Sequence, residues 1–341
     1  MLRDLCARYP LGPGWAPVAH FSERVSFGDH TLALSGVSSS TAAGEQVTGS
    51  AACWETAPAP LPRSYFELLE RVSVVDALRN RERAYVLRDR DGRILGSAGA
   101  DLVFPQGHAP ERSRASRSNG VAIHVTWETA CDRACAELVE RDRILRSWYG
   151  ELVPSPLPLG PGLVPDAMRI HSEWLAYELG ASGPCVGADL AVVLVIAFPA
   201  RTEVPLVFGA AAASDRRTAV TKAIEEAIQR FGFLFGEAIP DTPPESAPTP
   251  DYHQEFYLYP PHHRLLRDWL ERRAAAADAP SGAGEQGAPR PVSFVDLTPP
   301  HLRGDLFVAK ALSIDAEPLW FGEPAPHRAA VTPERRVHPV A

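Results

Sequence analysis

The sequence lacks the features that define several large classes of protein. Its longest apolar run, Leu190–Pro199, is far short of the roughly 20 residues that span a bilayer, and Met1–Asp4 leads into no apolar signal segment. Basic residues do not outnumber acidic ones, and the formal net charge is -8. We therefore expect a cytoplasmic protein that binds neither membranes nor nucleic acid.

Cysteine and lysine are scarce, which excludes further classes. The five cysteines are scattered and include no CxxC pair, so they fit a reducing compartment and offer no zinc site of recognisable spacing. Neither lysine, Lys222 or Lys310, follows the glycine spacing of a P-loop, and no GxGxxG motif opens a helix after a strand. Walker and Rossmann nucleotide enzymes are therefore disfavoured.

The hydrophobic pattern that is present predicts an α+β fold in which helices pack against mainly antiparallel sheets. Three long helices are predicted, over about 64–79, 128–149 and 216–234. Asp91-Gly92 between two short apolar runs predicts a hairpin, because glycine accepts the positive φ of the turn.

Two further parts of the chain have a distinctive composition. The nearly continuous apolar run 188–198 and the following segment 205–209 predict two buried strands. Segments of about 239–250 and 274–291 are rich in proline, or in alanine, glycine and proline, and are predicted to be mobile loops.

Each of the three predicted helices carries a narrow polar stripe, because residues three and four apart share a helix face. The stripes are Glu67, Glu70 and Arg71; Glu137, Glu140 and Arg141; and Lys222, Glu226 and Gln229. One ExxER motif alone is more simply explained as a solvated helix face. Two copies on otherwise apolar helices, with a third stripe, predict one shared site, because a buried carboxylate without a partner is costly.

The donor types of the stripes indicate the kind of ligand. Carboxylates with no histidine or cysteine nearby suit a hard cation such as Mg²⁺, which commonly bridges a few carboxylates to substrate phosphates. Arginines in the same stripes can hold phosphate oxygens through forked hydrogen bonds. The stripes therefore predict a site for Mg²⁺ and a nucleotide.

An ordered set of motifs resembles the YcaO family, and specifically the D-protein type that forms azoline heterocycles in ribosomal peptides. The motifs are Glu67–Arg71, Ser118–Ala122, Glu137–Asp142, Lys222–Gln229, Asp251–His253, Val295–Thr298 and Glu317–Gly322. Because they span roughly residues 45–341, the resemblance implies an N-terminal segment over 1–45 and a YcaO-like ATP-binding domain over 46–341.

The resemblance implies ATP- and Mg²⁺-dependent chemistry at a peptide backbone amide. A Cys, Ser or Thr side chain of the substrate adds to the preceding carbonyl, ATP phosphorylates the oxyanion, and phosphate leaves to give a thiazoline or oxazoline. The implied magnesium ligands are Glu67, Glu70, Glu137, Glu140 and Glu226. The implied ATP-binding residues are these five with Arg71, Arg141, Lys222 and Gln229, and the implied catalytic residues are Glu226, Arg141 and Ala341.

The resemblance also implies partners. We expect a precursor peptide as substrate and an E1-like or winged-helix protein that recognises its leader, because nothing before the first stripe resembles a leader-binding domain. A flavin dehydrogenase that oxidises azoline to azole is a further expectation from the family, and the sequence leaves open whether the chain forms a homodimer.

Four departures from the family pattern keep alternatives open. Thr129 stands where an acid is usual, Lys222 where arginine is usual, and Phe231 where an arginine follows the glutamine. The segment Val337–Ala341 keeps only part of a proline-rich pattern. One alternative is a degenerate YcaO-like subunit that binds a peptide or partner without using ATP. Another is an enzyme that forms thioamides or amidines with external sulfide or an amine.

Overall fold

The structure, a computed structural model, describes residues 1–55, 57–105, 113–180, 189–271, 291–323, 328 and 336–340. The α-helices are α1 Leu2–Arg8, α2 Leu61–Arg79, α3 Ala100–Val103, α4 Trp127–Trp148, α5 Arg216–Leu234, α6 Pro250–Leu258 and α7 His263–Leu270. The strands are β1 Ala19–Phe27, β2 His30–Ser40, β3 Gln46–Trp54, β4 Ala84–Arg88, β5 Ile94–Gly99, β6 Ser113–Ala115, β7 Val121–His124, β8 Ser155–Leu157, β9 His171–Glu178, β10 Ala191–Pro199, β11 Val207–Ala213, β12 Ser293–Asp296, β13 Phe307–Leu312 and β14 Trp320–Gly322. Short 3₁₀ turns cover Asp166–Ile170, Pro260–His262 and Pro300–Leu302.

The strands form antiparallel sheets, which confirms the predicted α+β class. A three-stranded sheet has the order β1-β2-β3, a four-stranded sheet β11-β10-β9-β8, and a five-stranded sheet β5-β4-β12-β13-β7. A small ribbon pairs β14 with β6. The three long helices α2, α4 and α5 match the predicted ones to within three residues at each end.

The ends of the long helices follow from local sequence. At the start of α4, the Thr126 side chain accepts a hydrogen bond from the backbone N–H of Thr129. The Asp215 side chain does the same for Thr218 at the start of α5. Both are N-caps that satisfy otherwise unpaired N–H groups of the first turn. None of the helices in the described residues is long and apolar enough to cross a bilayer.

The four-stranded sheet is covered on both faces, which explains its continuous apolar strands. Alternate residues of β10 point to opposite faces. Val193 and Val195 pack in the cluster that contains α5, whereas Leu194 and Ile196 pack in the cluster that contains α4. The two buried strands predicted from the apolar runs are therefore confirmed as β10 and β11.

The other two sheets are likewise covered by a long helix on each face. In the three-stranded sheet, Gly49 lies against α2 and Leu34 lies against α5. In the five-stranded sheet, Ala309 packs in the cluster with α4, and its neighbour Val308 packs in the cluster with α2. Helices and sheets thus alternate in a closed ring: α2, the three-stranded sheet, α5, the four-stranded sheet, α4, the five-stranded sheet, and α2 again.

The remaining predictions about loops and boundaries have different outcomes. The predicted hairpin is confirmed as β4–β5, with Gly92 at φ +83°. The predicted mobility of 239–250 stays a prediction, and nearly all of 274–291 lies outside the described residues. The predicted boundary near residue 45 also stays a prediction, and it falls between β2 and β3, which pair in one sheet.

Candidate active site

The three long helices border one cavity of about 800 Å³, which contains most of the predicted site residues. The lining includes Glu67, Glu70, Arg71, Glu137, Arg141, Glu226 and Gln229. These are seven of the nine residues predicted to bind ATP, and they come from all three stripes. Residues far apart in the sequence therefore meet in one place, as the stripes predicted.

The polar stripe of α2 is hydrogen-bonded to the neighbouring strand β3. The backbone N–H of Ser50 donates to Glu67 Oε2 at 2.7 Å, and Arg71 Nη2 lies 2.5 Å from Glu67 Oε1. Arg71 Nη1 also donates to the carbonyl oxygen of Thr48 at 2.9 Å. These bonds fix the orientation of the Glu67 carboxylate before any ligand binds.

A strand glycine lets each helix approach its neighbouring strand closely enough for such bonds. A Cβ atom on Gly49 would lie 2.1 Å from the carbonyl oxygen of Ser64 in α2, and one on Gly209 would lie 2.2 Å from that of Ala223 in α5. Next to Gly209, the backbone N–H of Ala210 donates to Glu226 Oε2 at 3.2 Å.

The same arrangement occurs at α4. Gly120 has φ +67°, and a Cβ atom placed on it would lie 3.2 Å from the Cβ of Leu138. The backbone of Gly120 hydrogen-bonds to Glu137, and the backbone of Ala212 hydrogen-bonds to Glu140. Each stripe therefore has a carboxylate that is oriented by a backbone N–H of an adjacent strand or loop.

The carboxylates carry more negative charge than the protein around them stabilises. Burial raises the pKa of Glu70 well above its ordinary value, and the nearby carboxylates of Glu137 and Glu67 raise it further. Burial, with help from Glu226 and Glu137, raises the pKa of Glu140 to about 8, although Arg141 acts in the opposite direction. Burial also raises the pKa of Glu137. A cation among these groups would relieve their mutual repulsion.

This donor set fits Mg²⁺. The ion prefers carboxylate oxygens, and it usually takes one or two of them together with phosphate oxygens and water. Within the described residues, no three acidic, histidine or cysteine side chains converge tightly enough to enclose an ion by themselves. The cavity instead offers carboxylates on several walls, with space between them for phosphates.

Two of the nine predicted residues do not line the cavity. Glu140 lies behind it, 9% exposed, with its Oε1 3.6 Å from Arg141 Nε. Lys222 is exposed on α5, one turn before Glu226, at the end of the stripe where the helix face has left the cavity. Its role in ATP binding stays a prediction, because a linear stripe does not show where a cavity ends.

The other lysine is buried beside the site. Lys310 in β13 is 4% exposed, and its Nζ donates to the carbonyl oxygens of Arg117 at 3.1 Å and Asn119 at 2.9 Å. Burial lowers its pKa to about 8, while the nearby Glu137 acts to raise it. A lysine within the apolar run Phe307–Leu312 was the signal in the sequence that this residue is buried.

A family model described as a YcaO cyclodehydratase that binds ATP and Mg²⁺ matches residues 82–312. The chain belongs to the YcaO family. The predicted family and the predicted cofactors, ATP and Mg²⁺, are thereby confirmed. No curated protein matches the chain.

Solved structures share the YcaO fold with this chain. YcaO from Methanopyrus kandleri, bound with AMPPCP and Mg²⁺, has a TM-score of 0.65 and 19% identity over 99% of this chain and 92% of its own. A heterocyclase in complex with substrate and cofactor has a TM-score of 0.55 and 13% identity, and the match covers 93% of this chain but 52% of the heterocyclase. The E. coli microcin synthetase McbBCD complex has a TM-score of 0.52 and 10% identity over 86% of this chain and 87% of the matched chain.

The departures from the YcaO pattern have structural explanations. Thr129 lies in the first turn of α4, where its hydroxyl bonds to that of Thr126 at 2.9 Å. Phe231 is fully buried in the core and stacks edge-on against Phe27. The neighbouring Arg230 lines the cavity instead, with its guanidinium 4.0 Å from the ring centre of Phe208. Sequence reasoning missed Arg230, although its position directly after Gln229 was a usable signal.

The segment Val337–Val340 reaches the cavity of this YcaO protein. Val340 lines the cavity, and the carbonyl oxygen of Val337 accepts a hydrogen bond from the hydroxyl of Tyr257. The carbonyl oxygen of His338 accepts a bond of 2.9 Å from His253 Nδ1. Ala341, predicted to be catalytic, lies outside the described residues.

Proposed function

We propose that the protein is a peptide cyclodehydratase of the D-protein type, which uses Mg²⁺ and ATP to activate a backbone amide of a precursor peptide. The observation that carries this proposal is the convergence of carboxylates from α2, α4 and α5 on one cavity that also contains arginines. Such a site suits a phosphoryl-transfer reaction, in which positioning and charge neutralisation supply most of the catalysis.

The chain's own residues divide the work of binding. Glu67, Glu70, Glu137 and Glu226 line the cavity and would hold Mg²⁺, with Glu140 supporting them from behind. Bound Mg²⁺ neutralises charge on the transferring phosphoryl group. Gln229 and the guanidinium groups of Arg71, Arg141 and Arg230 supply hydrogen-bond donors for the nucleotide, and arginine suits phosphate oxygens especially well. Glu226 and Arg141 lie nearest to the chemistry in this assignment, together with Ala341 as the family implies.

The proposed reaction removes one molecule of water from the peptide. The thiol or hydroxyl of Cys, Ser or Thr adds to the preceding carbonyl carbon, and the resulting oxyanion takes the γ-phosphoryl group of ATP. The C–O bond then breaks, phosphate leaves with the former carbonyl oxygen, and the amide nitrogen loses its proton as the C=N bond forms. The side chain loses its own proton in the first step, so a thiazoline or oxazoline, ADP and phosphate are the products.

The proposal includes partners and surroundings. A precursor peptide would be delivered by an E1-like or winged-helix recognition protein, and a flavin dehydrogenase would oxidise the azoline. Support comes from the similarity in fold to a chain of a multi-subunit complex, microcin synthetase McbBCD. We place the enzyme in the cytoplasm, with residues 46–341 as the ATP-binding domain.

Two alternatives keep the fold but change the activity. Two observations favour a degenerate binding subunit. Lys222 lies outside the cavity, and the Thr129 hydroxyl bonds to Thr126 at the start of α4. A thioamide or amidine product would arise if external sulfide or an amine attacked the same activated amide. Product mass distinguishes an azoline from a thioamide or from an amidine made with an external amine, and tandem mass fragmentation distinguishes it from an amidine made with an amine of the same peptide.

The decisive test is ATP binding by calorimetry with and without Mg²⁺, followed by phosphate release when a peptide is added. We expect Mg²⁺-dependent binding that Glu226→Gln weakens by roughly tenfold or more, because even supporting groups of a metal site contribute that much. The matched control is Glu225→Gln, an exposed neighbour on the same helix. Equal effects of the two substitutions would refute the site, and binding without peptide-stimulated phosphate release would favour the binding subunit.

A further inference from the structure

The strand β3 is at once a wall of the reaction cavity and the outer strand of its sheet. Its first residues, Gln46 to Thr48, line the cavity, as does Ser50. In the three-stranded sheet β3 pairs with β2 on one side, and no strand among the described residues pairs with its other edge, which borders the cavity. An open strand edge presents a row of backbone N–H and C=O groups that another strand can take up.

The hydrogen bonds of β3 show which of its backbone groups face the cavity. The N–H of Ser50 donates to Glu67, and the C=O of Thr48 accepts from Arg71, so both residues direct their backbone groups away from β2. Residues two apart in an antiparallel strand direct these groups to the same side. Gln46 therefore also faces outward with both its N–H and its C=O.

Four of these outward groups have no partner within the described part of the chain. They are the N–H and C=O of Gln46, the N–H of Thr48 and the C=O of Ser50. The two outward groups that are occupied, at Thr48 and Ser50, are bonded to residues of the carboxylate stripe of α2. The free part of the edge thus leads directly to the carboxylates, about two residues or roughly 7 Å farther along the strand.

We propose that the substrate peptide binds in this cavity as an added antiparallel strand on the edge of β3 at Gln46–Thr48. This inference rests on the proposed function, since it concerns the peptide on which that reaction acts. A peptide residue opposite Gln46 exchanges two hydrogen bonds with it, and the peptide residue opposite Thr48 gives its carbonyl oxygen to the Thr48 N–H. The added strand delivers its next backbone carbonyl toward the carboxylates and the nucleotide.

The chemistry of the edge identifies the occupant as an extended peptide rather than a compact ligand. Backbone-to-backbone pairing binds a chain through groups that every residue possesses, and side-chain pockets add selectivity only at alternate positions. The cavity volume of about 800 Å³ lies in the upper part of the range for ligand sites, which leaves space beside a nucleotide. Arg117, held at 2.9 Å by Glu45, flanks the start of the edge.

The direct test uses the unaltered protein and modified peptides. The probe is a fluorescein-labelled peptide with one central cysteine between glycine and alanine residues, and its backbone nitrogens are methylated one at a time. Fluorescence anisotropy in the presence of Mg²⁺ and AMPPCP gives each affinity. We expect alternate positions to be sensitive, with binding weakened about five- to tenfold where the methyl group removes an N–H that faces β3. Uniform sensitivity, no sensitivity, or no binding of the parent peptide would overturn the proposal.

A pair of protein variants tests the other side of the pairing. Gln46→Pro removes the outward N–H without touching the ladder to β2, and proline is tolerated at the start of an edge strand. Gln46→Ala keeps the N–H and removes only the side chain. We expect Gln46→Pro to weaken peptide binding about five- to tenfold and Gln46→Ala to change it less than about twofold.

Calorimetry of Mg²⁺-ATP binding by the same variants separates failure of the strand pairing from failure of the proposed function. Loss of the β3 interaction should leave nucleotide affinity unchanged in Gln46→Pro. If the unaltered protein fails to bind Mg²⁺-ATP, the proposed function fails. If nucleotide binds normally but Gln46→Pro and the parent protein bind peptide equally, only the strand pairing fails.

Discussion

At the scale of single residues, the proposed role of the buried cavity carboxylates in ligand binding has a cost in stability. Glu70 and Glu137 lie on different helices, and burial disfavours the ionised form of both; repulsion by Glu137 disfavours it further in Glu70. Active sites commonly hold groups that would be more stable if they were replaced, because function requires them. The ligand-free protein should therefore gain stability when one of these carboxylates is neutralised.

Glu70→Gln provides a test of this trade. The pKa of Glu70 is raised in the folded protein, so at pH 8 folding must either take up a proton or bury a charge, and this cost grows as pH rises. Glutamine avoids both. We expect the free energy of unfolding of the metal-free protein to rise by about 1–2 kcal/mol at pH 8. Urea denaturation of the parent and of Glu70→Gln at pH 8 measures this difference in the free energy of unfolding.

The same variant should lose the stabilisation that Mg²⁺ and ATP give. A ligand at a hundred times its Kd stabilises a folded protein by about 2.7 kcal/mol, and this increment should shrink or vanish in Glu70→Gln. Glu225→Gln, exposed on α5, should leave both quantities unchanged. A Glu70→Gln protein that is less stable than its parent would contradict the interpretation.

The two lysines form a matched pair for a second prediction. Lys310→Met leaves the carbonyl oxygens of Arg117 and Asn119 without their buried donor, so we expect a loss of about 2–3 kcal/mol in the free energy of unfolding. Lys222→Met removes an exposed side chain and should change it by less than about 0.5 kcal/mol. Chemical denaturation measures the free energy of unfolding of both variants. Equal losses in the two would mean that Lys310 has no special structural role.

At the scale of elements, a strand followed by a helix occurs three times with the same contact. The pairs are β3 with α2, β7 with α4, and β11 with α5, and each places a glycine against the helix at the level of its glutamates. The glycine permits a close approach of two backbones, and the close approach allows a strand or loop N–H to reach a helix carboxylate. The position of the proposed metal-binding carboxylates thus depends on the glycines of the neighbouring strands and loop.

Gly209→Ala tests that dependence. Its added methyl group would lie 2.2 Å from the carbonyl oxygen of Ala223 and 2.5 Å from the nitrogen of Ala227, both backbone atoms of α5. We expect a loss of about 2–3 kcal/mol in stability and weakened Mg²⁺-ATP binding, because α5 and Glu226 must move away from the cavity. Thermal unfolding and calorimetry measure the two effects.

Gly99→Ala is the control for this substitution. Gly99 has an ordinary φ of -65°, and no atom lies within 4 Å of its added methyl group. The control should be as stable as the parent and bind nucleotide equally well. An unchanged Gly209→Ala protein would show that the close approach is not required.

The contact between α6 and the segment 336–340 should make the protein sensitive to acid. His253 is 1% exposed, and its Nε2 accepts the backbone N–H of Gly322, which requires the neutral ring. Burial lowers its pKa from 6.5 to about 4. The folded state therefore disfavours protonation, so stability present above pH 6.5 is lost as pH falls toward 4, by about 3 kcal/mol for this residue.

Urea denaturation at several pH values measures this loss. The free energy of unfolding should fall less steeply between pH 6.5 and 4 in His253→Gln than in the parent. The difference in slope should correspond to the uptake of about one proton. His30→Gln, an exposed histidine, should leave the profile as it is in the parent. The prediction is wrong if both variants follow the parent profile.

Local elements could be predicted from the sequence, whereas their contacts could not. The helices α2, α4 and α5 and their stripes follow from a 3.6-residue period, and β10 follows from its apolar run. Which lysine lies beside the carboxylates depends on the position of β13, a strand far from the stripes in sequence. Arg230 was missed for a similar reason, since only the packed structure shows that it reaches the cavity while Phe231 turns into the core.

At the scale of the whole molecule, the ring of alternating helices and sheets makes the site a property of the complete fold. Each long helix contacts two sheets, and each sheet is covered by two helices. The carboxylates meet because the ring closes. No short segment of the sequence contains that information, which explains why the stripes predicted a shared site but gave no order for the three sheets around it.

The closed ring also bears on how the protein is made. A ribosome releases β3 and α2 long before α5, which ends at Leu234, and Lys310 emerges later still. A growing chain therefore carries Glu67, Glu70 and Glu137 before the last wall of the cavity exists. Their carboxylates remain hydrated until the final helix and strand arrive, so acquisition of nucleotide binding marks the end of folding and not an early step of it.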